Sequence, residues 1–66
     1  MAVSSVSTIT ATSSESWQDA LENGLERARK TLRGIDTLEV VAERAYVEKG
    51  EVKHYEVELK IIFQLD

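Results

Sequence analysis

At Gly34 the hydrophobic period of this chain changes from helical to alternating, and that change restricts the fold more than any other feature. Upstream, the apolar stripe Trp17, Ala20, Leu21, Gly24, Leu25, Ala28 and Leu32 is spaced by three or four. Glu22, Glu26, Arg29, Lys30 and Arg33 are mostly turned away from it, so the segment reads as an amphipathic helix of about five turns. Gly34 directly after Arg33 is a C-cap signal, and the predicted helix runs from about 14 to 33. Downstream the period is two. Between Thr37 and Glu48, Leu38, Val40, Ala42 and Tyr46 fall on one face of a strand, and Val41, Ala45 and Val47 share the other with Thr37, Glu39 and Glu43. Glu48-Lys49-Gly50-Glu51 reads as a hairpin turn with Gly50 free to take positive φ. From Val52 to Leu65 the alternation is strong: Tyr55, Val57, Leu59, Ile61, Phe63 and Leu65 on one side; His54, Glu56, Glu58, Lys60, Ile62 and Gln64 on the other.

Ahead of the helix, residues 2 to 11 (AVSSVSTITA) are rich in β-branched types and read as a strand of moderate burial. Thr12 followed by Glu15 fits a capping box, and Ser13 is an equally good N-cap. The predicted order is therefore β-α-β-β, an α+β fold with a three-stranded antiparallel sheet packed on one long helix, spanning 1–66 as a single domain. Gly24 lies on the buried stripe at a cost of about 1 kcal/mol relative to alanine, which the close approach of another backbone would explain.

A chain of 66 residues buries only about 60% of the surface its unfolded form exposes. Disulfides and Cys-based zinc sites are excluded by the absence of cysteine, which leaves self-association or a carboxylate-bound metal to stabilise it. One helix covers one face of a sheet, so apolar groups on the other face and two long strand edges invite pairing. Burying about 400 Å² of that surface between subunits contributes about 10 kcal/mol before association costs.

The amino terminus has no basic segment followed by an apolar run, and no stretch of about 18 apolar residues occurs, so the expectation is a soluble cytoplasmic protein with no membrane partner. The net charge of −4, from 12 acidic and 8 basic residues, argues against a nucleic-acid partner. Arg27, Arg29, Lys30 and Arg33 read as a solvated helix end where cations favour the macrodipole. Trp17 reads as core packing, and His54, the sole histidine, as an exposed strand residue. Glu56 and Glu58 project side by side; they can hold a hard cation, Ca²⁺ or Mg²⁺, or pair with Arg44, Lys53 or Lys60, and ion pairs are favoured. Nothing assembles a nucleophile, base and oxyanion donor, so no enzyme is expected.

TSSESWQDALENGLERARKTLRGID, LEVVAER and HYEVELKIIFQLD together resemble the cap, helix and second and third strands of the dodecins over nearly the whole length. The resemblance implies a hollow homododecameric shell that holds flavins (FMN, FAD or riboflavin) between subunits for storage or buffering. The family pocket depends on a tryptophan opening the second strand and a glutamine in the third; here those positions are Thr37 and Glu56. Arg44 is the third pocket position. It begins Arg44-Ala45 where the family has Arg-Gly, and Ile61-Ile62 replaces Val-Gly. Flavin binding is accordingly expected to be weak or lost. The SESW segment is similar to a branch of the family without the tryptophan that is associated with calcium. That similarity implies, as the alternative, a cation-binding or purely structural shell with Glu56 and Glu58 as metal ligands.

Overall fold

The computed structural model describes residues 3–65 as β1 (Ser4–Ser13), α1 (Trp17–Arg29), β2 (Ile35–Glu48) and β3 (Glu51–Gln64). Ala2, assigned to the first strand from sequence, lies outside the described residues. The sheet is antiparallel throughout with order β1-β3-β2, so β3, the strand with the strongest alternation, takes the centre. Its odd-numbered side carries the core. Val57, Leu59 and Ile61 are fully buried there, under Ala20, Gly24 and Ala28 of the helix, with Ile9, Ala11 and Leu21 packed around them.

The helix is shorter than its apolar stripe. Thr12 and Ser13 stay in the strand, opposite Glu56 and Tyr55, so neither caps the helix. The N-cap is Ser16, whose hydroxyl accepts from Asp19 N. Ser13 Oγ accepts from Glu15 N and donates to the Asp19 carboxylate at 2.6 Å, so two serines lock the first turn. At the other end the helix stops at Arg29 with Lys30 as C-cap. Four more helical residues would carry the chain about 6 Å further along the helix axis; instead it unwinds, and Gly34 at φ +68 turns it back so that Gly34 O accepts from Gln64 N.

The β2–β3 turn places both Lys49 (φ 53) and Gly50 (φ 78) in the left-handed region, the pair of conformations a type I′ hairpin requires. Inside β2 the simple alternation fails. The register passes from Val40↔Leu59 to Ala42↔Glu58, leaving Val41 unpaired in a β-bulge. Cross-strand partners share a face, so Leu38 and Val40 point to the helix side whereas Ala42, Arg44 and Tyr46 point away from it. Glu43 and Ala45 lie on the helix side, opposite Val57 and Tyr55. The expected grouping of Ala42 and Tyr46 with Leu38 is thus corrected. Apolar residues on both parities of β2 leave its register weakly specified by burial.

Gly24 faces side chains rather than another backbone: a Cβ there would lie 2.9 Å from Leu59 Cδ1 and 3.2 Å from Ala11 Cβ. Gly24→Val is expected to cost about 2 kcal/mol, overpacking offset in part by better helix propensity. Gly24→Ala costs less, because its helix gain of about 1 kcal/mol nearly cancels the crowding. Urea unfolding of the two variants measures both.

Candidate functional site

The helix rests on β1 and β3, so β2 stands beside it with both faces partly bare. Val40, though on the helix side, is 43% exposed. Trp17 bridges this gap. Rather than entering the core, it lies at the surface, edge-on to Tyr55 with ring centroids 4.8 Å apart, and its Nε1 donates to Arg44 O at 3.0 Å. The first helical residue therefore pins the backbone of the strand that carries the polar site. Nothing in the periodicity marks that reach, because it depends on where the edge strand falls.

On the face opposite the helix, the rungs Ala42↔Glu58, Arg44↔Glu56 and Tyr46↔His54 follow one another along β2 and β3. The bulge at Val41 is what brings Arg44 to this side. Its guanidinium forks two acids: Nη1 donates to Glu56 Oε2 at 2.6 Å and Nη2 to Glu58 Oε1 at 3.0 Å. The Tyr46 hydroxyl donates to the remaining Glu56 oxygen at 3.2 Å. The hydrogen bond from Arg44 holds the Glu56 carboxyl below its usual range, with help from Tyr46 and against some desolvation. The same hydrogen bonds, to Glu56 and then Glu58, push the Arg44 guanidinium upward, so it stays charged. Exposed ion pairs contribute little to stability; this one fixes the positions of three charged groups.

Of the positions singled out from sequence, Arg44, Glu56 and Glu58 are thus brought together, and the carboxylates take up Arg44 as their cation. Among the described residues, no three His, Cys, Asp or Glu side chains are grouped to hold a metal ion. Thr37 is exposed on the same sheet face but opposite Ile62. Six residues of β3 separate Ile62 from Glu56, about 20 Å at the rise of a strand, so one chain does not assemble Thr37 and Glu56 into a pocket. His54 is half-buried rather than exposed, its ring stacked on Tyr46 at 4.3 Å and 23°. Sequence reasoning missed Tyr46 as a site residue because the bulge hides which face it shares.

The geometry defines a class: a small α+β protein with a half-covered sheet and a polar clamp on its open face. A family model described as Dodecin matches residues 3–66. The dodecin of Thermus thermophilus is 42% identical over 55 residues, covering 83% of this chain and 80% of that protein. Among solved structures, the dodecin of Streptomyces coelicolor has a TM-score of 0.93 at 35% identity, covering 98% of this chain and 93% of the other. That of Streptomyces davaonensis has a TM-score of 0.92 at 37% identity, covering 98% and 96%. The chain belongs to the dodecin family. Among the described residues, no helix is long and apolar enough to cross a membrane.

Proposed function

We propose that this chain is a non-enzymatic dodecin-type protein of the cytoplasm that assembles as a homododecamer and stores or buffers a small planar ligand between subunits, holding flavin only weakly. The observation that supports this reading is the separation of Thr37 from the Arg44–Glu56 clamp on one open sheet face, since residue 37 of one copy could meet the clamp only of another. Thr37 brings no ring to that junction. Glu56 keeps an acceptor where an amide would also donate, and its charge opposes an anionic ring edge or phosphate. Exposed Val6, Val40, Val41, Val47 and Val52 supply the apolar surface that assembly would bury.

Native mass spectrometry and a flavin titration test this together. The expected result is a colourless dodecamer that quenches riboflavin, FMN or FAD fluorescence only at high protein concentration. A yellow protein with tightly bound flavin overturns the weak-binding reading, and a monomer overturns the assembly.

A further inference from the structure

Two of the irregularities in the β2–β3 pairing cancel each other. Val40↔Leu59 and Val47↔Val52 are seven residues apart on each strand, so an uninterrupted ladder would join them without a bulge. Instead, Val41 on β2 and Lys53 on β3 are left between rungs, and the pairs from Ala42↔Glu58 to Tyr46↔His54 are displaced by one residue. The hairpin and the upstream part of β2 therefore keep their places whichever register residues 42–46 take. A slip of one residue reverses the facing of every side chain. In the uninterrupted ladder Val41 would lie opposite Glu58, Glu43 opposite Glu56 and Ala45 opposite His54 on the open face, with Arg44 turned to the helix side opposite Tyr55.

Burial and ladder pairing favour the register that is not observed. The uninterrupted ladder would set Ala42, rather than Glu43, opposite fully buried Val57 and would return Val41 and Lys53 to rungs. Trp17 does not choose between the two. Its Nε1 donates to a main-chain carbonyl, which any residue brought to that place supplies, so it fixes where the strand lies and not which residue lies there. Charge does choose. The observed register sets Arg44 opposite Glu56, where its guanidinium reaches Glu56 and Glu58 at 2.6 and 3.0 Å and Tyr46 donates to the remaining Glu56 oxygen. The uninterrupted ladder would exchange these contacts for Glu43 facing Glu56, and like charges directly opposite each other are destabilising. We propose that Glu56 and Glu58 are positioning residues that set the register: by holding Arg44 they keep residues 42–46 displaced between two bulges. Without them the segment slips by one residue, withdraws Arg44 from the open face and presents Glu43 in its place. The clamp thus exists in one of two ladders that share the same hairpin, and neither a ligand nor a second copy enters the choice.

The chain has no cysteine, so engineered pairs can trap either register in the full-length protein. Directly opposed residues stand about 4.5–5.5 Å apart at Cα, within reach of a disulfide, whereas neighbours along a strand point to opposite faces. Ala45→Cys with Tyr55→Cys reports the displaced segment, and Ala45→Cys with His54→Cys reports the uninterrupted ladder. With the acids intact, the Tyr55 pair is expected to close and the His54 pair to remain largely open. In a Glu56→Gln, Glu58→Gln background the yield of the His54 pair relative to the Tyr55 pair is expected to rise about 10-fold, the combined effect of two lost attractions and one relieved repulsion. The exchange Glu43→Arg with Arg44→Glu leaves composition and net charge unchanged but moves the cation by one residue, and it is expected to make the His54 pair dominant. Mass mapping of non-reduced peptides separates bonds within a chain from bonds between chains, and circular dichroism reports whether each variant is folded.

A folded exchange variant that still joins Ala45→Cys to Tyr55→Cys overturns the proposal, as does a double glutamine variant with an unchanged ratio. Should the exchanged chain fail to fold, the double glutamine variant decides alone. A ratio that follows protein concentration assigns the register to contacts between copies and overturns the role of the acids. None of these outcomes touches the dodecin-type reading, which native mass and the flavin titration test separately.

Discussion

A Thr37→Trp variant gains riboflavin affinity of about 5- to 150-fold for each ring contact restored, the equivalent of 1–3 kcal/mol of stacking. Thr37 is exposed on the open sheet face, in the register step between Ile35 and Thr37 and opposite half-buried Ile62. A large side chain there displaces no core residue, and an aromatic ring suits a pleated, half-buried surface. If two copies present residue 37 to a common pocket, the gain applies to both sides of the junction. Flavin fluorescence quenching reads the affinity, and an unchanged native mass shows that the assembly is not what improved. A negative result points to Glu56, whose carboxylate already accepts from Arg44 and Tyr46 and offers a ring edge no donor; the double variant with Glu56→Gln then separates missing stacking from misplaced charge. Affinity that stays low in both variants sinks the idea that residue 37 governs ring binding in this chain.

What can be read from sequence follows the strength of burial. The central strand is correct in type and in facing because Val57, Leu59 and Ile61 are buried completely on one parity, and any slip would expose all three. The order of elements follows for the same reason, with the change of period at Gly34 marking the true reversal. The second strand is misread beyond Val41 because both its parities are partly apolar and no burial penalty selects a register; the bulge then exchanges the faces of Ala42, Glu43, Arg44, Ala45 and Tyr46. That exchange decides the site. Without it, Arg44 would point toward the helix side and could not fork Glu56 and Glu58. The ion-pair reading of those acids is available from their charges and a nearby arginine, but the choice of Arg44 over Lys53 and Lys60 needs the register. The helix start is misplaced because two earlier N-cap candidates, Thr12 and Ser13, precede Ser16. Strand pairing, invisible in local pattern, claims both.

Leu59→Ala is expected to remove 2–5 kcal/mol of stability, against a total of about 3–10 kcal/mol for a chain of this length. Leu59 has no exposed surface. It sits at the middle of the central strand, opposite Ile9 of β1 and Val40 of β2, beneath Gly24 of the helix. The same residue thus joins the helix and all three strands. The loss falls in the upper part of that range because the hole cannot be refilled from above: Gly24 has no side chain to lower into it, and Ala20 and Ala28 are the next buried positions on that helix face. For a domain this small each kcal/mol moves the unfolding midpoint by about 4–8 °C, so a fall of at least about 10 °C is expected in thermal melts. Leu59→Met, which keeps the volume, should cost under about 1.5 kcal/mol. Folding of a marginal protomer is linked to assembly by mass action, so the alanine variant should also lose its native oligomer on dilution where the methionine variant keeps it. An alanine variant that melts within a few degrees of the wild type, with its mass unchanged, would mean that contacts between copies hold the sheet together more than this core does.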